Sequence, residues 1–201
     1  KGQAPRQMLD VALSRNPESP EINLAIGLAT HLDSDYEAWG VGSKRVQLAL
    51  SHLGDRQEVV YLTALGFHHV ARVYHMKQDY KNAVLLYMRA YELVPDHPMI
   101  LGNLGHALFY QERFDEALQM YQVLENLQPE NTDAIVNLGN IYLAMDQLDE
   151  AAEAYRRALK ISSDLASAHR NLGVVLARQE KWQSSLEVLQ TASHLSPDDW
   201  Q

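Results

Sequence analysis

The sequence predicts an all-α fold, a solenoid of antiparallel helix pairs stacked one upon the next. Three observations carry that expectation. A short phrase recurs at constant distance, as Asn103-Leu104-Gly105, Asn137-Leu138-Gly139 and Asn171-Leu172-Gly173, each 34 residues after the last. A period of this length belongs to helical hairpins that cannot bury their apolar faces alone and therefore stack. Within each period the apolar residues follow helical spacing. Near the end of each period a helix stop returns, as Pro95, Pro129 and Pro197, with Ser163 standing in once.

Composition agrees and narrows the function. At 46% apolar and 21% charged residues, the chain has the balance of an ordinary folded protein. No apolar run is long enough to insert in a membrane. A net charge of -9 disfavours nucleic acid or an anionic lipid surface as partner. The sequence has no cysteine, which excludes disulfides and thiolate metal ligands but leaves the compartment, cytoplasm or periplasm, unassigned. Lys1-Gly2-Gln3 opens the chain with no charged-then-apolar leader behind it, the pattern expected of an excised fragment.

In chain order, residues 1–19 form the second helix of a truncated preceding unit, with the apolar side of Ala4 to Arg15 ended by Asn16-Pro17. Residues 20–63 make an irregular, expanded hairpin. Ser19-Pro20 starts its first helix, Gly40 and Gly42 interrupt its second, and Lys44 to Leu53 resumes a helical pattern stopped by Gly54. Regular hairpins follow at 64–97, 98–131, 132–165 and 166–199. Their first helices are expected near 57–77, 98–110, 132–144 and 166–178, and their partners near 80–93, 114–127, 148–161 and 182–195. Trp200-Gln201 would begin another first helix, and no polar capping helix follows, so the last apolar face is expected to be covered by further chain or by a partner.

The recurring residues have physical reasons. Gly105, Gly139 and Gly173 lie inside helices, where glycine costs about 1 kcal/mol relative to alanine. A repeated cost implies a repeated benefit, close approach of the partner helix. Ala71 takes that place in the first regular hairpin. Ala83, Ala117, Ala151 and Ser185 are expected at the facing position. Tyr80, Phe114, Leu148 and Trp182 open the second helices as core residues, and Tyr87, Tyr121, Tyr155 and Leu189 are expected to fill the space between hairpins.

These features resemble the tetratricopeptide repeat family, over residues 64–199 at nearly every signature position and more weakly over 20–63. The resemblance implies a right-handed superhelix whose first helices line a concave groove. It implies a non-catalytic scaffold for protein–protein interaction, with a protein or peptide as ligand and no cofactor. Two other roles fit the same letters, the substrate-recruiting repeat region of a larger enzyme such as a glycosyltransferase, and an assembly platform in a secretion or envelope complex.

In this register the groove-facing places of successive first helices are occupied by His68, Gly102, Val136 and Arg170, then by His69, Asn103, Asn137 and Asn171. Next come Arg72, His106, Asn140 and Val174, with Met76, Tyr110, Ala144 and Arg178 at the far end. An asparagine amide offers donors and an acceptor that match a peptide backbone. Spaced about 10 Å apart by helix packing, such amides would hold every third residue of an extended segment at about 3.3 Å per residue. The pattern is similar to the asparagine-lined groove of O-linked N-acetylglucosamine transferases. Asparagine here is also common in the family as a local solvating group. Arg170 and Arg178 make one end of the groove cationic, able to receive a ligand carboxylate or to pair with neighbouring glutamates.

Other chemistries fare worse. Family members that clamp a C-terminal carboxylate use lysines and asparagines, and the matching residues here are His68, Arg72, Asn103, Asp133 and Asn137. Asp133 has the wrong sign, and one hairpin later no fixed cation remains. No histidine pair lies three or four residues apart on one helix, so no metal site is expected. The histidines are read instead as groove residues that make affinity depend on pH near 6.5. Gly40-Val41-Gly42-Ser43-Lys44 lacks the order of a phosphate loop. Trp39 reads as a core residue before a partner anchor. No catalytic triad is placed. Self-association through the uncapped final face completes the list of expected contacts.

Overall fold

The computed structural model describes residues 57–196, and every regular element among them is an α-helix. The expectations for residues 1–56, including Trp39 and the Gly40 to Lys44 segment, lie outside that span, as do those for the residues after Ser196. The helices are α1 (Gln57–Met76), α2 (Tyr80–Leu93), α3 (Pro98–Tyr110), α4 (Phe114–Leu127), α5 (Thr132–Ala144), α6 (Leu148–Ile161), α7 (Ala166–Arg178) and α8 (Trp182–Leu195). Seven coincide with the bounds read from the sequence, and α1 ends one residue earlier. No helix among the described residues is long and apolar enough to cross a membrane.

The turn inside each hairpin is built the same way. Gln78, Glu112, Asp146 and Glu180 adopt φ near +60° (59, 59, 61 and 60), a conformation uncommon for residues other than glycine. It lets the next backbone N–H fold back on the helix just ended, as in Arg113 N to Leu108 O at 3.0 Å and Gln147 N to Tyr142 O at 2.8 Å. Orphaned carbonyls are thereby satisfied, and the chain reverses without glycine. Asp79 and Asn131 then cap α2 and α5, accepting from Asn82 N at 3.2 Å and Ala134 N at 3.0 Å.

The chain forms two compact units, Lys1–Ile100 and Leu101–Gln201. In the first, α1 packs on α2. Ala64, Phe67, Val70 and Ala71 of α1 and Ala83, Val84, Tyr87 and Ala90 of α2 are buried. In the second, α5 packs on α6 and α7 on α8 within hairpins, while α4 meets α5 and α6 meets α7 between them.

Close approach at the helical glycines is real, and it is made by a different residue from the one expected. A Cβ on Gly105 would stand 2.7 Å from the Tyr121 ring, one on Gly139 2.6 Å from Tyr155, and one on Gly173 2.5 Å from Leu189. Tyr121, Tyr155 and Leu189 thus lie over the glycine of their own hairpin, and Tyr155 also packs with Leu172, Val175 and Leu176 of the next, as expected. The balance favours the glycine, because its cost of about 1 kcal/mol is smaller than the roughly 1.5–3 kcal/mol contributed by burying a large side chain. Ser185 is buried and donates to the carbonyl of Gly173 at 2.7 Å.

Trp182 is corrected more sharply. It was expected in the core and is 66% exposed. Its counterpart Leu148 packs against the cluster of Tyr155, Leu172, Val175 and Leu176, to which α7 of the following hairpin contributes. Among the described residues no helix follows α8 to do the same for Trp182. Polar staples flank the interface between the last two hairpins. Arg178 Nη2 meets Asp146 Oδ1 at 2.8 Å, and Gln179 Nε2 donates to Asp149 Oδ1 at 2.8 Å. Arg157 pairs with Glu125 across the preceding junction. Exposed pairs contribute about 0–1 kcal/mol each, so apolar burial holds the stack and the staples set its register.

Candidate functional site

Asn137 and Asn140 lie one turn apart on α5, and Asn171 sits on α7 of the next hairpin. The structure joins them. Asn171 Nδ2 donates to Asn140 Oδ1 at 2.9 Å, and the buried Tyr155 hydroxyl of α6 donates to the same oxygen at 2.7 Å. Asn140 Nδ2 in turn donates to Asn137 Oδ1 at 3.3 Å. With two donors on its oxygen, the Asn140 amide has one orientation, and that orientation sets Asn137. The amides expected as separate hooks are therefore one directed chain from hairpin to hairpin. Its polarity runs from a phenol to the Asn137 Nδ2 group, which donates to no protein atom among the described residues.

The end of that chain opens on a cavity of about 70 Å³ whose polar wall is His106, Tyr121, Asn137 and Asn140. Phe109, Tyr110 and Ile141 supply the apolar remainder. His106 is half-buried, and its ring lies 4.8 Å from that of Tyr110, one turn on and 52% exposed. Burial lowers the His106 pKa from its ordinary value, so the imidazole is neutral at pH 7. Tyr121 donates to the carbonyl of Gly102 at 3.1 Å, and burial, with the nearby Asp133 carboxylate, pushes its phenol pKa up. Tyr155 is pushed the same way by burial, opposed by its hydrogen bond with Asn171. Both tyrosines are fixed O–H donors. Asn103 is half-buried one turn before His106.

Arg170 and Arg178 are exposed. Arg178 is committed to Asp146, so its side chain is held by the neighbouring hairpin. The acid it meets is an aspartate, where a glutamate was expected.

His68, His69 and Arg72 belong to the first unit. His69 and Arg72 are exposed, whereas His68, expected on an open wall, is 5% exposed and packs at a tilt against Tyr87 with centroids 5.5 Å apart. Burial first, then the positive fields of Arg72, His97 and His69, bring its pKa down to about 4, against the opposing pull of a Met99 backbone hydrogen bond. The expectation of histidines titrating near 6.5 fails for His68 and for His106, because a partly dry site disfavours the imidazolium.

Sequence reasoning missed His97, whose ring meets Tyr61, with Nε2 3.3 Å from the hydroxyl. It also read Tyr121 and Tyr155 as filler. The available signal was that three successive hairpins carry tyrosine, not phenylalanine, at one place, and a buried phenol needs a partner.

Comparison with known proteins places these features in a wider group. Residues 62–130 match the tetratricopeptide repeat family model and 139–180 match a TPR repeat model, together more than half of the chain. No curated protein is significantly similar to the chain. Among solved structures, the chain is similar to YrrB, described as a TPR protein with an unusual peptide-binding site. Their TM-score is 0.69 and identity 23%, with 94% of this chain and 93% of that one covered. It is also similar to MamA of Desulfovibrio magneticus RS-1, with TM-score 0.62, identity 20% and coverage of 98% and 95%. A third is the first TPR of Spaghetti (RPAP3) bound to the HSP90 peptide SRMEEVD, with TM-score 0.57, identity 22% and coverage of 60% and 95%.

Proposed function

The chain belongs to the tetratricopeptide repeat family, and on that premise we propose that it is a non-catalytic scaffold that binds an extended peptide segment along its amide-bearing first helices. The observation that carries this reading is the directed chain through Asn171, Asn140 and Asn137 with an unspent donor at its end. Amides already held by one another lose little freedom when a ligand arrives, which lowers the entropic cost of binding. Two of the similar structures carry peptide binding in their descriptions, which agrees with the reading. His106, Tyr110 and Arg170 flank the amides.

The test is selection from a displayed library of random peptides about 12 residues long, about 40 Å when extended. Selected peptides are expected to lose at least about tenfold in affinity for a variant carrying Asn103→Ala, Asn137→Ala and Asn171→Ala, with helicity unchanged. Equal affinity for the variant would sink the reading.

A second contact, self-association through α8, is favoured by the exposure of Trp182 (66%) and Leu186 (52%). Sedimentation should find an oligomer that Trp182→Glu with Leu186→Glu converts to monomer. A native chain that stays monomeric at high concentration removes it.

A further inference from the structure

We infer that the cavity at the end of the asparagine chain is a specificity pocket for a neutral carboxamide, the side chain of an asparagine or glutamine in the bound segment. The inference rests on the peptide-binding reading and adds which residue that segment must carry.

Size sets the first limit. About 70 Å³ is the room of roughly two waters at about 30 Å³ each, enough for a planar group of about three or four heavy atoms and too little for an aromatic or long aliphatic side chain. Hydrogen-bonding capacity sets the second. Asn137 Nδ2 faces no protein acceptor, and Asn140 Nδ2 has given only one of its two N–H groups, so a carbonyl oxygen entering here is met by donors. The Tyr121 hydrogen is spent on Gly102, which leaves its oxygen as an acceptor for an N–H. The pocket therefore asks for an acceptor and a donor on one flat group.

Charge decides between the flat groups that fit. A carboxylate has the right shape but no donor, and no charged side chain lines the pocket. His106 is neutral at pH 7, and the Asp133 carboxylate acts on the Tyr121 phenol, so no cation lining the pocket offsets the charge of an anion. A guanidinium or ammonium would bring its charge against the donors of Asn137. The amide is the remaining class. Phe109 and Tyr110 then cover its apolar stem.

The experiment has two arms. In the first, peptides are selected from the random library on the native chain and sequenced. Asparagine or glutamine should recur at one place, and exchanging it for aspartate, glutamate or leucine should weaken binding by about tenfold, the worth of one or two neutral hydrogen bonds. That preference should vanish in Asn137→Leu while the selected peptides keep residual affinity. Peptides that bind with no amide preference overturn the pocket and leave the scaffold reading standing.

The second arm needs no peptide. Acetamide titrated to molar concentration at pH 7.5 should shift the side-chain NH2 resonances of Asn137 and Asn140 in a ¹⁵N spectrum, and acetate at equal ionic strength should not. If no peptide is selected, this arm alone decides. Absence of an acetamide shift, or an equal response to acetate, overturns the assignment.

Discussion

Tyr87 and Tyr155 occupy the same place in two hairpins, both with no exposed surface, and each reaches a polar partner on its own first helix. In the first unit the partner is His75, whose Nδ1 lies 3.4 Å from the phenol, with buried His68 packed at a tilt against the same ring. In the second the partner is the amide of Asn140 at 2.7 Å. One fold position has thus been furnished with two chemistries, imidazoles in the first unit and an amide chain in the second. The packing requirement is common to both hairpins. The choice of polar partner is free, and it determines what each hairpin responds to.

The largest difference should appear with pH. His68 is held neutral in the fold with a pKa of about 4, against about 6.5 when unfolded. Between those values the unfolded chain binds the extra proton, so stability is fully present above about pH 6.5 and falls as pH drops toward 4. The loss should reach about 3 kcal/mol, as each pKa unit is about 1.4 kcal/mol. Hydrogen exchange of α1 and α2 amides, corrected for intrinsic rates, should report it, and His68→Leu should flatten it. Burial depresses His106 as well, so α3 carries the same sign to a lesser degree. An identical pH response in native chain and His68→Leu would erase the contrast.

Exchanging the small residues comes next. Gly139→Ala drives a methyl into the Tyr155 ring at 2.6 Å. Overpacking of about 1–3 kcal/mol outweighs the gain in helix propensity of about 1 kcal/mol. Ala71→Gly, the reverse change in the first hairpin, should lose about 1–2 kcal/mol by propensity and a lost buried methyl. Gly102 is the control, because a Cβ there would meet only Leu124 Cδ2 at 3.6 Å, an ordinary contact. Gly102→Ala should stabilise by about 0.5–1 kcal/mol in denaturant titrations. A stabilising Gly139→Ala would show that close approach is not what the glycine serves.

Removing the phenols sharpens the comparison further. Tyr155→Phe should cost about 1–1.5 kcal/mol, since a short buried hydrogen bond is lost and the Asn140 oxygen keeps one donor of its two. Tyr87→Phe, at 3.4 Å from its partner, should cost about half as much. Equal costs would mean that the amide chain adds nothing to the hairpin.

The smallest effect lies in the turns. Gln78→Gly should stabilise the first hairpin by about 0.5–1 kcal/mol, because glycine accepts φ of 59 without strain. Asp146→Gly should gain nothing, as aspartate tolerates this conformation better and its carboxylate holds Arg178.

How far the letters reached can be argued from single positions. The helices from Tyr80 to Leu195 were legible to the residue because the 34-residue register repeats the same small-residue and stop pattern, so each hairpin corroborates the others. That Asn137, Asn140 and Asn171 lie near one another was also legible, by register. Their mutual bonding was not, since it depends on a tyrosine from behind and on an offset between neighbouring helices that no single-helix pattern encodes. The same blindness hid the burial of His68 and the exposure of Trp182. Each has the spacing of its expected place, and only the presence or absence of a neighbouring helix decides its fate.

By itself, the sequence determined that residues 57–196 are a series of helical hairpins, where all but the first of their helices begin and end, and which positions must be small. Those properties follow from local backbone preference and from a periodic apolar face, both written along the chain. Tertiary structure alone decided which polar groups are spent on one another and which are left to meet a ligand. A hydrogen bond between hairpins is a matter of ångströms in three dimensions, and a period in one dimension does not carry that precision.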